Sequence, residues 1–399
     1  MRIAQVCPYD FDRPGGVQAH IRDTALALQE LGHEVTVIAP RVRRTEPAPP
    51  SEVRVVKLGQ ARVVGFAGTA FELSLVMGQE LRALRSLMHT GRFDVVNFHS
   101  IWTPVMPMQA FLASDAASVT TVHETPPEGL PGALPRVGLG LASRLTFPHV
   151  DALIAVSRAA RSNVHAAEGQ PEFILPPCTD LRRFLQAPES PPRKDGQPIT
   201  ILFAGRLEPR KGAMVLLQAY RRLCAEGLAV RLQIAGAGQE EAALRQRVID
   251  ESIPDVAFTG HFQDAEAPAL FGGCDIFCAP SIYGESFGIV LAEAMTAGRP
   301  VVAAANRGYR TVLTGQGARF LTHPRDVDAL YRALRTLVLD ESLRVELGAW
   351  GRREALQYDC RQVAPRLIEV YAAAIARHRA RPKVSAVRAD LLSAHPGEG

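Results

Sequence analysis

GESFGIVLAEAMTAGRPVV, residues 284–302, sets glycines and two carboxylates around an apolar helical run that leads into a strand. Phe287, Ile289, Val290, Leu291, Ala292, Ala294 and Met295 are apolar on every side of a helix predicted over 286–297, the pattern of a buried helix. Glu293 is then a carboxylate in apolar surroundings, which is costly unless it is paired or hydrogen-bonded. Glu285 stands eight residues earlier, about two helical turns, so both acids are expected on roughly one side. Backbone N–H groups at the helix start, near Phe287 and Gly288, can meet an anion. One face then offers a carboxylate, an anion-binding end and a second carboxylate. That order suits sugar hydroxyls, a diphosphate and ribose hydroxyls. The bland alternative for Glu293 is a structural salt bridge.

Outward from this stretch, short β-rich runs alternate with helical patterns. Strands are predicted at 2–7, 34–39, 53–57, 94–98, 118–122 and 152–156, and after Pro198 at 199–204, 229–235, 256–259, 275–279 and 300–304. Helical patterns include 17–31, 72–90, 212–226, 239–251 and 286–297. Such alternation implies βαβ units and parallel sheets, hence an α/β fold. The Pro-rich segment 186–198 (QAPESPPRKDGQP) reads as a linker between a first domain, 1–185, and a second, 199–355. The tail 381–399 reads as flexible. A cleft facing the C-terminal ends of the strands is the default ligand site.

Composition narrows the function classes. Hydrophobic residues make up 47% and charged residues 22% of 399, which rules out disorder for the bulk of the chain. The 45 basic and 41 acidic residues leave only +4, with no long run of one sign, so nucleic acid is not expected as a partner. Six cysteines show no paired zinc spacing, and Cys7 and Cys278 read as buried thiols in a reducing compartment. MRIAQVCPYD enters a strand directly, without the pattern of a leader, and no apolar run reaches about 20 residues.

Three further features carry chemistry. PGGVQAH, residues 14–20, follows a strand and opens a helix; its glycines allow close backbone approach to a ligand. GRLEPRKG, residues 205–212, follows the strand ITILFA and offers Arg206 and Lys211. A departing pyrophosphate needs such cations, because its charge grows as the bond breaks. His123 stands at the end of a strand, where ligand-facing residues of parallel sheets belong. Other patterns fall away. AGAG at 235–238 lacks a third glycine at Glu241, and the Asp10–Asp12 and Asp326–Asp328 triplets read as a shaped loop and a helix cap.

Together, GGVQAH, GRLEPRKG and GESFGIVLAEAMTAGRPVV on two α/β halves resemble the GT-B retaining glycosyltransferases of family 4. PYDFDRPGGVQAH, EPRKG and CAPSIYGESFGIVLAEAM are most similar to its phosphatidylinositol α-mannosyltransferase subgroup. The resemblance implies two Rossmann-like domains with parallel sheets facing a central cleft, and a helix at about 356–380 packing back on the first domain. It implies that Gly16 approaches the donor phosphate, Arg206 and Lys211 hold the diphosphate, and Glu285 binds the donor sugar. Amides near Phe287, Gly288 and Ile289 would contact phosphate and sugar, Glu293 the ribose, and His123 the reacting centre. Tyr9 and Gln18 would serve the acceptor. The implied donor is GDP-mannose, a substrate rather than a cofactor, and no metal is implied. The implied acceptor is a lipid or lipid-linked glycan, reached by a cytoplasmic enzyme in peripheral contact with the membrane. Three alternatives stay open: a family 4 enzyme using a UDP-sugar for exopolysaccharide or lipopolysaccharide, a nucleotide-sugar 2-epimerase, and a sugar-nucleotide-binding protein without turnover.

Overall fold

The computed structural model describes residues 1–381 except 14, 42–51, 67–68, 102–105, 126–132, 163 and 187–195. Most of the stretch read as a linker and nearly all of the tail lie outside these residues.

Two sheets form, as expected for an α/β chain. The first contains β1 (Arg2–Val6), β2 (Glu34–Arg41), β3 (Arg54–Phe66), β4 (Thr69–Leu75), β5 (Val95–His99), β6 (Ala117–Val122), β7 (Ala152–Ala155) and β8 (Glu172–Ile174), in the order β4-β3-β2-β1-β5-β6-β7-β8. The second contains β9 (Ile199–Ala204), β10 (Val230–Ala235), β11 (Val256–Gly260), β12 (Ile276–Ala279), β13 (Val301–Ala304) and β14 (Leu321–Thr322), in the order β11-β10-β9-β12-β13-β14. β5 and β6 are buried along their whole length, which is why they read as continuous runs rather than alternating ones.

The expectation of wholly parallel sheets is corrected at one edge. β3 runs on to Phe66 and pairs antiparallel with β4, and the helix expected at 72–90 begins only at Gly78. TAFELSL has a period of two, so it belongs to a strand. Gly78, at φ 59°, turns the chain from strand to helix.

The chain crosses between domains twice, at neighbouring places. Leu181 and Phe184, inside the stretch assigned to the first domain, pack in the second core, with Phe184 edge-on to Phe271 at 5.6 Å. The return is the helix Cys360–Ala380, whose Val363, Leu367, Val370, Tyr371 and Ala374 lie in the first core. Thr179 bridges to Asp359, and Asp359 Oδ2 accepts from the Leu181 N–H at 3.2 Å. Cys178 and Cys360 form a disulfide there, across a separation of 182 residues, which departs from the expectation of a reducing compartment. Cys7 and Cys278 are buried thiols.

Tyr371 fastens the returning helix to the middle of the first sheet. Its buried hydroxyl accepts from Gln5 Nε2 at 2.8 Å and from Asn97 Nδ2 at 3.2 Å. Tyr371→Phe strips both amides of that acceptor inside the core, at a cost of about 1–3 kcal/mol. Thermal melting should show a clear loss of stability; a midpoint equal to the wild type contradicts this role.

Candidate active site

Both sheets change winding direction at their middle. In the second, β10 lies on one side of β9 and β12 on the other, so the loops that follow β9 and β12 diverge and leave a crevice. Those loops carry residues 205–212 and 280–288.

The first loop is a chain of alternating charge. Arg206 Nη1 pairs with Glu208 at 2.8 Å, and Glu208 with Arg210 Nε at 2.9 Å. Arg210 Nη1 reaches Glu285 Oε1 at 3.3 Å, and Lys211 Nζ reaches the same oxygen at 2.7 Å. Three cations therefore face two carboxylates, a surplus of one positive charge. Arg206 is the outer member, its side chain 49% exposed; that of Arg210 is only 9% exposed. Burial opposes the charge on Glu285, but Lys211 and Arg210 outweigh it and hold its pKa below the usual carboxylate range. Glu285 is thus an ionised acceptor. The sequence had suggested Arg206 and Lys211 as a pair and missed Glu208 and Arg210. The signal was present in LEPRK, where Pro209 starts the 3-10 turn Pro209–Lys211 that folds the charges together.

Gly212 makes this contact possible. It has φ 73°, and a Cβ there would lie 2.3 Å from the Pro280 carbonyl oxygen. Only glycine lets the two loops approach so closely.

The helix expected from 286 starts at Ile289. Gly288 caps it at φ 110°, and a Cβ at 288 would meet the Tyr309 ring at 2.6 Å. Glu285 therefore precedes the helix, and helical spacing does not relate it to Glu293. Nor is the helix buried all round: Ile289, Val290 and Glu293 form a half-buried face, while Phe287 and Gly288 are buried. Glu293 pairs with Arg183 at 3.5 Å. Burial pushes its pKa up to about 7, against the pull of Arg183 and helped by Asp23 and Asp264. The salt bridge of the bland reading exists, but it underpays the cost of burial.

From the first domain, the helix Gly16–Glu30 closes the other side. A Cβ on Gly16 would lie 3.8 Å from Ile289 Cδ1, so the first and third motifs meet. Ser157 Oγ donates to the Ser286 carbonyl oxygen, and Arg307 Nη2 donates to Ser162 Oγ at 2.6 Å. Gln18 is buried and donates to the Asp10 carbonyl oxygen at 3.2 Å, while Tyr9 rests half-buried on the first core. The Asp10–Asp12 loop is self-bonded, with the Asp12 N–H on Asp10 Oδ1 at 3.2 Å, and Lys57 pairs with Asp12.

His123 does not stand alone. It follows β6, and His99 ends β5 beside it. His123 Nε2 is 2.9 Å from His99 Nδ1, and His99 Nε2 is 2.8 Å from Gln5 Oε1. Because the Gln5 amide donates to Tyr371, its Oε1 accepts from His99 Nε2–H. His99 Nδ1 then accepts, His123 Nε2–H donates, and His123 Nδ1 keeps a lone pair. His20 packs against His123 with ring centres 5.3 Å apart, and its Nδ1 bonds to the Cys178 carbonyl oxygen at 3.3 Å. Burial keeps all three rings neutral. It pushes His20 down to about 4 and the other two well below the usual histidine value. His123 and the Lys211–Glu285 pair thus come from different domains, and one helix touches both regions, through His20 and Gly16.

Residues 14–183 match the family described as Glycosyltransferase Family 4, and residues 188–354 the one described as Glycosyl transferases group 1. The chain is 34% identical over 378 residues to Phosphatidyl-myo-inositol mannosyltransferase of Mycolicibacterium smegmatis, covering 93% of each. It is 34% identical over 374 residues to the protein of that name in Mycobacterium leprae, covering 93% of this chain and 96% of that one. Among solved structures, sucrose-phosphate synthase from Thermosynechococcus elongatus superposes with a TM-score of 0.71 at 18% identity, over 94% of this chain and 99% of that one, a likeness of fold.

The pKa of Glu293 makes a pH prediction. Folding raises it from 4.5 to about 7, so the folded state holds this proton more tightly than the unfolded chain. Stability from this group is full below about 4.5 and falls as pH rises towards 7, by an amount on the order of 3 kcal/mol at most. Glu293→Gln should lack that decline. Melting temperatures of both proteins between pH 5 and 8 check it; parallel profiles contradict it.

Proposed function

The chain belongs to glycosyltransferase family 4, with the GT-B fold, and from that premise we propose that it transfers mannose from GDP-mannose to phosphatidylinositol, retaining the anomeric configuration. The observation that carries the transfer chemistry is Glu285 shared between Lys211 and Arg210, beside a glycine-capped helix start. The choice of sugar and acceptor is supported by the relatives named phosphatidyl-myo-inositol mannosyltransferases.

In this reading the diphosphate meets Arg206 first and is then held by Lys211 and Arg210. Amides at Gly288 and Ile289 add fixed dipoles aimed at its growing charge. Glu285 accepts hydroxyls of the donor sugar, and Glu293 those of the ribose. His123 offers the Nδ1 lone pair to a hydroxyl near the reacting carbon, while Tyr9 and Gln18 line the acceptor side. The bond from the sugar to the acceptor oxygen forms as the bond to phosphate breaks. The acceptor proton passes to the departing phosphate oxygen, so no side chain acts as base. Neutral, buried His123 accepts a hydrogen bond from that hydroxyl without taking its proton. The cations of the 205–212 loop carry the charge that a metal ion carries elsewhere, so the transfer is metal-independent. Among the described residues no helix is long and apolar enough to cross a membrane. A cytoplasmic enzyme in peripheral contact with the lipid surface fits this reading.

A panel of GDP- and UDP-sugars, incubated with phosphatidylinositol vesicles, tests the proposal. GDP-mannose should give labelled lipid with the α configuration. Glu285→Gln, with an unchanged circular dichroism spectrum, should transfer about a hundredfold more slowly, a barrier increase of about 2.7 kcal/mol. Turnover with UDP-sugars alone points to the polysaccharide reading, and solvent hydrogen entering the sugar points to an epimerase. Either result overturns the proposal.

A further inference from the structure

The cluster of His20, His99 and His123 has a geometry that the transfer reaction does not use. One ring nitrogen from each lies within 4.8 Å of the others. The three ring centres form a nearly equilateral triangle with sides of 5.2, 5.3 and 5.5 Å. Three imidazoles bound tetrahedrally at about 2.0–2.1 Å from one zinc ion place their ring centres about 5 Å apart.

Two of the three nitrogens pointing away from the cluster are already engaged. His20 Nδ1 bonds to the Cys178 carbonyl oxygen and His99 Nε2 to Gln5 Oε1. Carbonyl partners of this kind orient metal-bound histidines and fix their tautomers. They leave lone pairs on His20 Nε2 and His99 Nδ1, both towards the cluster. The His123 proton moves from Nε2 to Nδ1, with no net proton released, and nitrogens now up to 4.8 Å apart must close to about 3.3 Å to share one tetrahedral ion. The distance of 2.9 Å between His99 Nδ1 and His123 Nε2 must also widen by a few tenths of an ångström to seat both on one ion.

We propose that His20, His99 and His123 form a binding site for one divalent transition metal of the zinc type, with a water molecule as the fourth ligand. A set of three neutral imidazoles favours zinc, copper or nickel over magnesium or calcium. Occupancy has a consequence for the reaction. With Nε2 on the metal, His123 presents Nδ1–H instead of a lone pair, so it donates where it had accepted. Zinc should therefore slow the transfer. The metal site itself is independent of which sugar or acceptor the enzyme uses.

The test uses the untagged full chain, freed of metal with EDTA and then titrated with Zn²⁺ or Co²⁺. About one equivalent of zinc should bind, and cobalt should give the strong visible absorption of a four-coordinate ion. His20→Gln and His99→Gln should each weaken zinc binding about tenfold or more while keeping the wild-type circular dichroism spectrum. The chain has eleven histidines, so these variants separate the cluster from surface binding. A wild-type protein that binds no stoichiometric zinc, or gives only the weak spectrum of six-coordinate cobalt, overturns the proposal even if the variants fail to fold. So does zinc binding unchanged in His99→Gln. Where GDP-mannose transfer is measurable, zinc should inhibit it and EDTA restore it; bound zinc that leaves transfer unaffected overturns the reversal of the His123 hydrogen bond. Because metal binding is read without turnover, its failure is distinct from failure of the transfer assignment.

Discussion

Glu285 Oε1 sits between Lys211 Nζ and Arg210 Nη1, and that shared oxygen ties the loop after β9 to the loop after β12. An unpaired Glu285 here would be a buried charge without compensation, and an unpaired Lys211 would be the same with opposite sign. Each makes the other tolerable. The pair also stores the charge pattern that a diphosphate and a sugar hydroxyl would need, already oriented before any ligand arrives. Gly212 and Gly288 are the backbone conditions for it. One lets the loops touch, and the other sharply starts the helix whose first amides lie beside the pair.

The two domains contribute different groups. The second domain supplies the charges from its winding reversal at β9 and β12. The first supplies Gly16, which touches Ile289, and the histidines at the ends of β5 and β6. Two chain crossings lie side by side at 178–181 and 359–360, joined by the Cys178–Cys360 disulfide and the Asp359–Leu181 hydrogen bond. Gln5 links the cleft to the returning helix, since one end of its amide bonds His99 and the other Tyr371. The returning helix is therefore linked through Gln5 to His99, and through His99 to His123.

Much of this was legible in the sequence. β9 spans Ile199–Ala204 as read, because six uninterrupted strand-forming residues lie between Pro198 and Gly205. Lys211 and Glu285 were legible one at a time, Lys211 because a diphosphate needs cations in the loop after a strand and Glu285 because a carboxylate beside a helix start suits sugar hydroxyls. β4 was misread because its period-two pattern runs directly into the helix from Gly78, and the seam is one glycine with positive φ. Glu208 and Arg210 were missed because alternating charges in a loop look solvated until the fold buries them. The three histidines come from residues 20, 99 and 123, and the disulfide from positions 182 residues apart. No local pattern reveals such convergence; only the strand order brings it about.

The claim at the centre of this account is that Lys211 and Glu285 act as one unit. A double-mutant cycle with Lys211→Met and Glu285→Gln, read by calorimetry as affinity for GDP, tests it directly. The account predicts that the double variant departs from the sum of the single variants by about tenfold or more, a coupling of about 1.4 kcal/mol. Effects that add within about twofold would show two independent side chains and contradict it.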